Sequence, residues 1–212
     1  MTPRLLIATN NPGKAREYRD IFHGLPLELL TPADIGLDLA VAETGQTYAD
    51  NARLKAQAYA QASGLVALAD DSGLEVDALG GAPGMHSHRY GQGSDADRYR
   101  LLLEQLHGVP EKERTARFRC VIAVATPEGD VHLYEGICPG VIIDEPRGKG
   151  GFGYDPVFLL PELGRTMAQL PPQEKNRLSH RARAGAKARP VLRHLFGGEI
   201  LSQGDPDEQE AT

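Results

Sequence analysis

Apolar positions along the chain change period repeatedly, and each change marks an element boundary. Leu5 to Ala8 is uninterruptedly apolar, the pattern of a short strand buried on both faces. Ala15, Tyr18 and Phe22 then recur at helical spacing, with Asn11 placed to cap and Pro12 at the first helical position, so a helix is predicted over 12–22. A second helix is predicted over 47–62, opened by a Thr47/Asp50 capping box and closed near Gly64. Leu65 to Ala69 reads as another buried strand, ending at Asp70-Asp71. A third helix, Ser94 to Leu106, starts with a Ser94/Asp97 box and carries Tyr99, Leu102, Leu103 and Leu106 mostly on one stripe. Ala116, Phe118, Cys120, Ile122 and Val124 alternate with other residues, Pro127 to Asp130 turns the chain, and Val131 to Tyr134 returns as a hairpin. Val157 to Leu160 is a further strand, and Ser179 caps a last helix that Pro190 should break or kink before Leu195. The fold class is α/β.

Composition narrows the class. The 212 residues suffice for one globular domain, or at most two small lobes sharing a core. Hydrophobic residues make up 41% and charged residues 25%, as in soluble proteins, and no apolar run approaches the roughly 20 residues of a membrane helix. The start Met1-Thr2-Pro3-Arg4 lacks the features of a secretory leader, so a cytoplasmic location is expected. Two cysteines, Cys120 and Cys138, fit a reducing compartment and read as buried filler. The net charge of −6 includes Asp205, Asp207, Glu208 and Glu210, which have no basic partner nearby. Residues 204–212 are therefore expected to form an acidic disordered tail behind a single domain over 1–203. Gln173 to Arg193 is the opposite: Lys175, Arg177, Arg181, Arg183, Lys187, Arg189 and Arg193 face Glu174 alone. A local anion site fits this better than a long nucleic-acid track.

Several short segments carry chemistry. Thr9-Asn10-Asn11-Pro12-Gly13-Lys14 joins a strand end to a helix start, where free N–H groups and the helix dipole favour an anion and Lys14 adds a charge suited to phosphate. An ordinary capped helix remains open for that segment, and it is not a Walker A loop. Asp70 and Asp71 are adjacent carboxylates that need solvent, hydrogen bonds or a metal; on extended backbone they point to opposite faces, so one faces the site and the other supports the loop. Glu43 is a candidate second carboxylate. Gly151-Phe152-Gly153-Tyr154-Asp155 displays two aromatics and an Asp on a glycine-rich loop. His180 and Arg181 open a helix against its dipole, which is unfavourable unless something acidic or electron-rich binds there; a plain solvated face is the alternative. His86 and His88 lack further ligand signatures and are expected in a loop.

Taken in order, Thr9 to Lys14, Glu43-Thr44-Gly45, Asn51 with Lys55, Asp70-Asp71-Ser72-Gly73-Leu74, Gly80 to Gly84, Gly151 to Pro156 and Ser179-His180-Arg181 closely resemble the inosine triphosphate pyrophosphatase family. The match runs from about Leu5 to Leu195. The resemblance implies hydrolysis of ITP, dITP and XTP to the monophosphate and pyrophosphate by an elongated, two-lobed mixed sheet flanked by helices, with the active site between the lobes. It implies Thr9, Asn10, Asn11, Pro12, Gly13, Lys14 and Lys55 on the triphosphate and Glu43 and Asp71 as Mg²⁺ ligands. By the same resemblance Asp71 is expected also to be the base, Ser72 a substrate contact and Phe152 the stacking platform, with Gly153, Tyr154, Asp155, Lys175, His180 and Arg181 completing the base pocket. A homodimer is implied as well, with no nucleic-acid or membrane partner. Asn176, the short loop after Arg89-Tyr90 and Pro190 depart from the family pattern. The rival readings are a pyrophosphatase for other modified nucleotides and a non-hydrolytic nucleotide- or RNA-binding module built on 175–193.

Overall fold

A computed structural model describes residues 2–197. In chain order the elements are β1 (Arg4–Ile7), α1 (Pro12–Ile21), β2 (Glu28–Leu30), α2 (Tyr48–Ser63), β3 (Val66–Val76), β4 (Pro83–Gly84) and α3 (Asp95–Gln105). There follow β5 (Thr115–Ala125), β6 (Val131–Ile142), β7 (Phe158–Leu160), β8 (Arg165–Thr166), α4 (Pro172–Leu178) and α5 (His180–Phe196). The strands form one mixed sheet in the order β2-β1-β3-β5-β6-β7-β8, with β4 on the side of β3. β1 runs parallel to β2 and β3, and the remaining pairs are antiparallel. The acidic tail, and the expected domain end at 203, lie outside the described residues.

Helix starts follow the sequence closely. The Asn11 side chain accepts from Gly13 and Lys14 N–H, both capping boxes are formed, and Ser179 accepts from Ala182 N–H. Strand lengths do not follow it. β3 continues through Asp70-Asp71 to Val76, because β5 pairs with it without a break from Ala67↔Ala125 to Val76↔Ala116 and both acids find cations. β6 likewise runs past Tyr134 to Ile142, and Pro139 is tolerated because β6 has a partner on that side only at Val141 and Ile142. The strand expected at Val157 begins at Phe158. Pro190 does not end the last helix, which continues to Phe196. The hydrogen bond it removes would have reached the carbonyl of Ala186 on the exposed side, while Val191 and Leu192 on the inner side hold the last turns against the sheet.

Three apolar clusters surround the long β3-β5-β6 ladder. α1 and α5 cover one face of one end through Tyr18, Phe22, Ala184, Ala188 and Leu192. α2 covers the opposite face through Ala52, Ala56 and Tyr59. At the other end Leu74, Phe118 and Ile142 pack with Leu102 of α3, with Leu106 at its C-cap and with Phe158 of β7.

Candidate active site

Every residue that the sequence nominated for the site lines one cleft of about 750 Å³. At one end the β1–α1 turn brings in Thr9 to Lys14. Lys14 Nζ sits 2.9 Å from Asp70 Oδ2, so its charge is held by a buried carboxylate of the cleft wall, and both members of the Asp70-Asp71 pair border the cleft. On the other face of β3, Asp71 accepts from Asn51 Nδ2 at 3.1 Å and lies 3.8 Å from Lys55 Nζ, which also bonds Glu43 at 2.7 Å. Glu43 and Asp71 thus share one cation from two separate segments. Burial lifts the Asp71 carboxyl above the usual carboxylate range, and the neighbouring Glu43 charge adds to this, while Lys55 and Asn51 offset only part. Burial acts the same way on Asp70, but Lys14, Arg181 and Lys55 more than cancel it, so Asp70 stays ionised well below that range. Two oxygen donors on one cation fit a hard divalent ion, which takes the rest of its shell from water and phosphate. Among the described residues no cluster of three or more His, Cys, Asp or Glu forms a closed metal cage.

The opposite end is built around Phe152. Its backbone N–H donates to Asp155 Oδ2 at 2.8 Å, Gly153 N–H donates to Asp95 Oδ2 at 2.7 Å, and Tyr154 Oη donates to Ser87 O at 2.8 Å. Gly153 holds φ at +63°, a left-handed conformation that glycine adopts without strain. Lys175 Nζ lies 4.8 Å and Arg181 Cζ 5.6 Å from the Phe152 ring centroid. His180 stacks on Phe118 with centroids 4.8 Å apart. Burial, and then the Arg181 and Lys175 charges, push its pKa well down, so the ring is neutral, and its buried Nδ1 has no hydrogen-bond partner.

Along the cleft wall runs a chain of charges of alternating sign, with Glu17 as its member behind the wall. Asp155 pairs with Lys175, Lys175 with Glu17 at 2.8 Å, Glu17 with Arg181, Arg181 with Asp70, and Asp70 with Lys14. Arg181 also donates to Ser72 Oγ at 3.1 Å. Sequence reasoning missed Glu17, Asp95 and Arg98. Glu17 looks like any acid on an amphipathic helix, and its only signal is its place one turn after Lys14, on the same side as Tyr18. The basic stretch divides in two: Lys175, His180 and Arg181 turn into the cleft, whereas Arg183, Lys187 and Arg189 bond backbone carbonyls of Ile137, Glu135 and His23. His88 borders the cleft from a short 3-10 turn, and His86 accepts from Arg89 outside it.

Both the sequence and the fold have counterparts. A family model described as the Ham1 family matches residues 5–191. The chain belongs to the Ham1 family. A dITP/XTP pyrophosphatase of Geobacillus kaustophilus is 49% identical over 197 residues, spanning 92% of this chain and 97% of that protein. One of Desulforamulus reducens is 47% identical over 195 residues, spanning 91% and 97%. Among solved structures, a HAM1 protein from Coxiella burnetii has a TM-score of 0.81 at 39% identity, covering 91% of this chain and 99% of its own. A nucleoside-triphosphatase / dITP/XTP pyrophosphatase from Mycobacterium abscessus has a TM-score of 0.70 at 41% identity, covering 88% and 99%. The Ham1 assignment bears out the resemblance read from the sequence, and the Ham1 structures share its mixed α/β fold.

Proposed function

We propose that this protein hydrolyses non-standard purine nucleoside triphosphates, ITP, dITP and XTP, to the nucleoside monophosphate and pyrophosphate. The observation that carries this reading is one cleft with a carboxylate pair at one end and an aromatic platform flanked by buried cations at the other. The named activity of the relatives supports it. The triphosphate lies along the β1–α1 turn, with Thr9 to Lys14 and Lys55 binding it and the helix dipole of α1 favouring its charge. Asp71, with its raised pKa, takes a proton from the water that attacks the α-phosphorus, the bond to the bridging oxygen breaks, and pyrophosphate leaves. Glu43 and Asp71 would hold Mg²⁺. When bound, the ion supplies positive charge that offsets the charge developing on the phosphates. Ser72 contacts the substrate, the base stacks on Phe152, and Gly153, Tyr154, Asp155, Lys175, His180 and Arg181 enclose its edge. The separate cores at the two ends of the β3-β5-β6 ladder support two lobes meeting at the cleft. The Arg183, Lys187 and Arg189 donors are already engaged with carbonyls, which disfavours an RNA-binding module.

The test is pyrophosphate release from ITP with Mg²⁺, with EDTA, and in Asp71→Asn. Turnover needs the metal, and Asp71→Asn lowers kcat by about 10² to 10⁴-fold with the protein still folded. Near-native rates in the folded variant would place the base elsewhere. We extend the proposal to a cytoplasmic homodimer; light scattering on the purified protein checks the stoichiometry.

A further inference from the structure

Resting on that functional reading, we infer that Arg98 on α3 reads the 2-position of the purine, admitting xanthine and rejecting guanine. Recognition of the oxygen at position 6 by His180 or Arg181 cannot separate these bases, because guanine carries the same oxygen. A second reader must face another edge. The structure brings one to the platform: Asp95 and Arg98 both line the cleft, and Asp95 accepts from Gly153 N–H, the residue directly after Phe152, at 2.7 Å. The other Asp95 oxygen is bound by the Arg98 guanidinium, which also donates to Gly93 O at 2.9 Å. Both carboxylate oxygens are therefore engaged. A guanidinium has five N–H groups, and the bonds to Gly93 and Asp95 use only part of that capacity. What the pair presents to the cleft is a donor, held on an arginine side chain only 19% exposed.

The placement follows from the two flanks of Phe152. Lys175 and Arg181 approach its ring from α4 and α5, whereas the Asp95–Arg98 pair joins the loop on the α3 side. With the 6-oxygen turned toward His180 and Arg181, the 2-position turns toward α3. Hypoxanthine offers a C–H there, xanthine an acceptor oxygen and guanine a donor amino group. Arg98 thus leaves ITP untouched at that position, gives XTP a charge-assisted hydrogen bond, and sets donor against donor for GTP.

The experiment compares kcat/KM for XTP, ITP and GTP in wild type and in Arg98→Ala, Arg98→Gln and Arg98→Lys. ITP is the internal reference, so each result is a ratio to ITP within one protein. Arg98→Ala is expected to lower the XTP/ITP ratio about tenfold and to raise the GTP/ITP ratio, because the Asp95 carboxylate it releases accepts from an amino group. Arg98→Gln, whose amide both donates and accepts, should raise GTP/ITP even if the alanine variant folds poorly. Arg98→Lys, which keeps a donor, should retain most of the XTP preference. Ratios within about twofold of wild type in both the alanine and glutamine variants would overturn the assignment. Wild-type protein turning over ITP no better than ATP would instead overturn the functional reading, and the role of Arg98 with it.

Discussion

Asp70 and Asp71 are neighbours in sequence with opposite electrostatic fates. Both are buried, and burial alone would raise both. Lys14 and Arg181 converge on Asp70 and drive its folded pKa down, while Asp71 shares Lys55 with a second acid and stays high. The sign of the resulting pH dependence is fixed for Asp70. A depressed folded pKa means that the unfolded chain takes up the proton first, so stabilisation is full above the unfolded value of about 3.9 and is lost as pH falls through the folded one. Asp70→Asn should cost roughly 3 kcal/mol near neutrality, since it removes the carboxylate of Lys14 and leaves Arg181 with Glu17 as its one charged partner among the described residues. Urea unfolding from pH 7 down to about pH 3 should show the gap between variant and wild type narrowing. A gap constant over that range would mean that the Asp70 charge carries no stability. At this scale the sequence was informative for side chains that punctuate it, such as Asn11, Thr47, Asp71 and Phe152. It was silent on Glu17, whose burial between Lys175 and Arg181 depends on partners more than 150 residues away.

The first three helices were legible at both ends, Gly64 closing α2 as expected, whereas β3 and β6 were not legible at theirs. Caps are local chemistry, a side-chain oxygen two or three residues from an N–H, and all four that the sequence showed are formed. Strand ends depend on what lies alongside, so β3 and β6 run on wherever β5 offers a partner, β3 past the two acids at which the sequence placed its end and β6 past Gly136 and Pro139. Gly136 in β6 shows how tightly such contacts fix the site. A Cβ there would lie 2.1 Å from His180 O and 2.4 Å from Ala184 N, because the first turn of α5 rests directly on the strand. Gly136→Ala should therefore destabilise the protein by about 1–3 kcal/mol and displace His180 and Arg181. Thermal unfolding reads the first effect, and a larger loss of ITP turnover than of ATP turnover reads the second. A variant with native stability would show that α5 can slide on the sheet at no cost.

The whole molecule gathers residues from seven elements and their loops into a single cleft, and the charges gathered there nearly cancel. Lys14, Arg16, Lys55, Arg98, Lys175 and Arg181 line it against Glu43, Asp70, Asp71, Asp95 and Asp155, and Glu17 behind them evens the balance. Side chains without net charge exert little long-range pull on a polyanion, so Kd for ITP measured in EDTA should change by less than about threefold between roughly 50 and 300 mM salt. A steep rise would reveal a positive potential that the paired side chains conceal. The buried ion chain also bears on competition inside a cell. ATP and GTP bring the same triphosphate as ITP and vastly outnumber it, and a strongly cationic groove would stay filled with them. Because Lys14, Lys55, Lys175 and Arg181 arrive already neutralised, the phosphates alone secure little residence time, and occupancy is decided at the purine. Internal charge pairing thus lets a scavenger of rare nucleotides sit idle in a crowd of common ones.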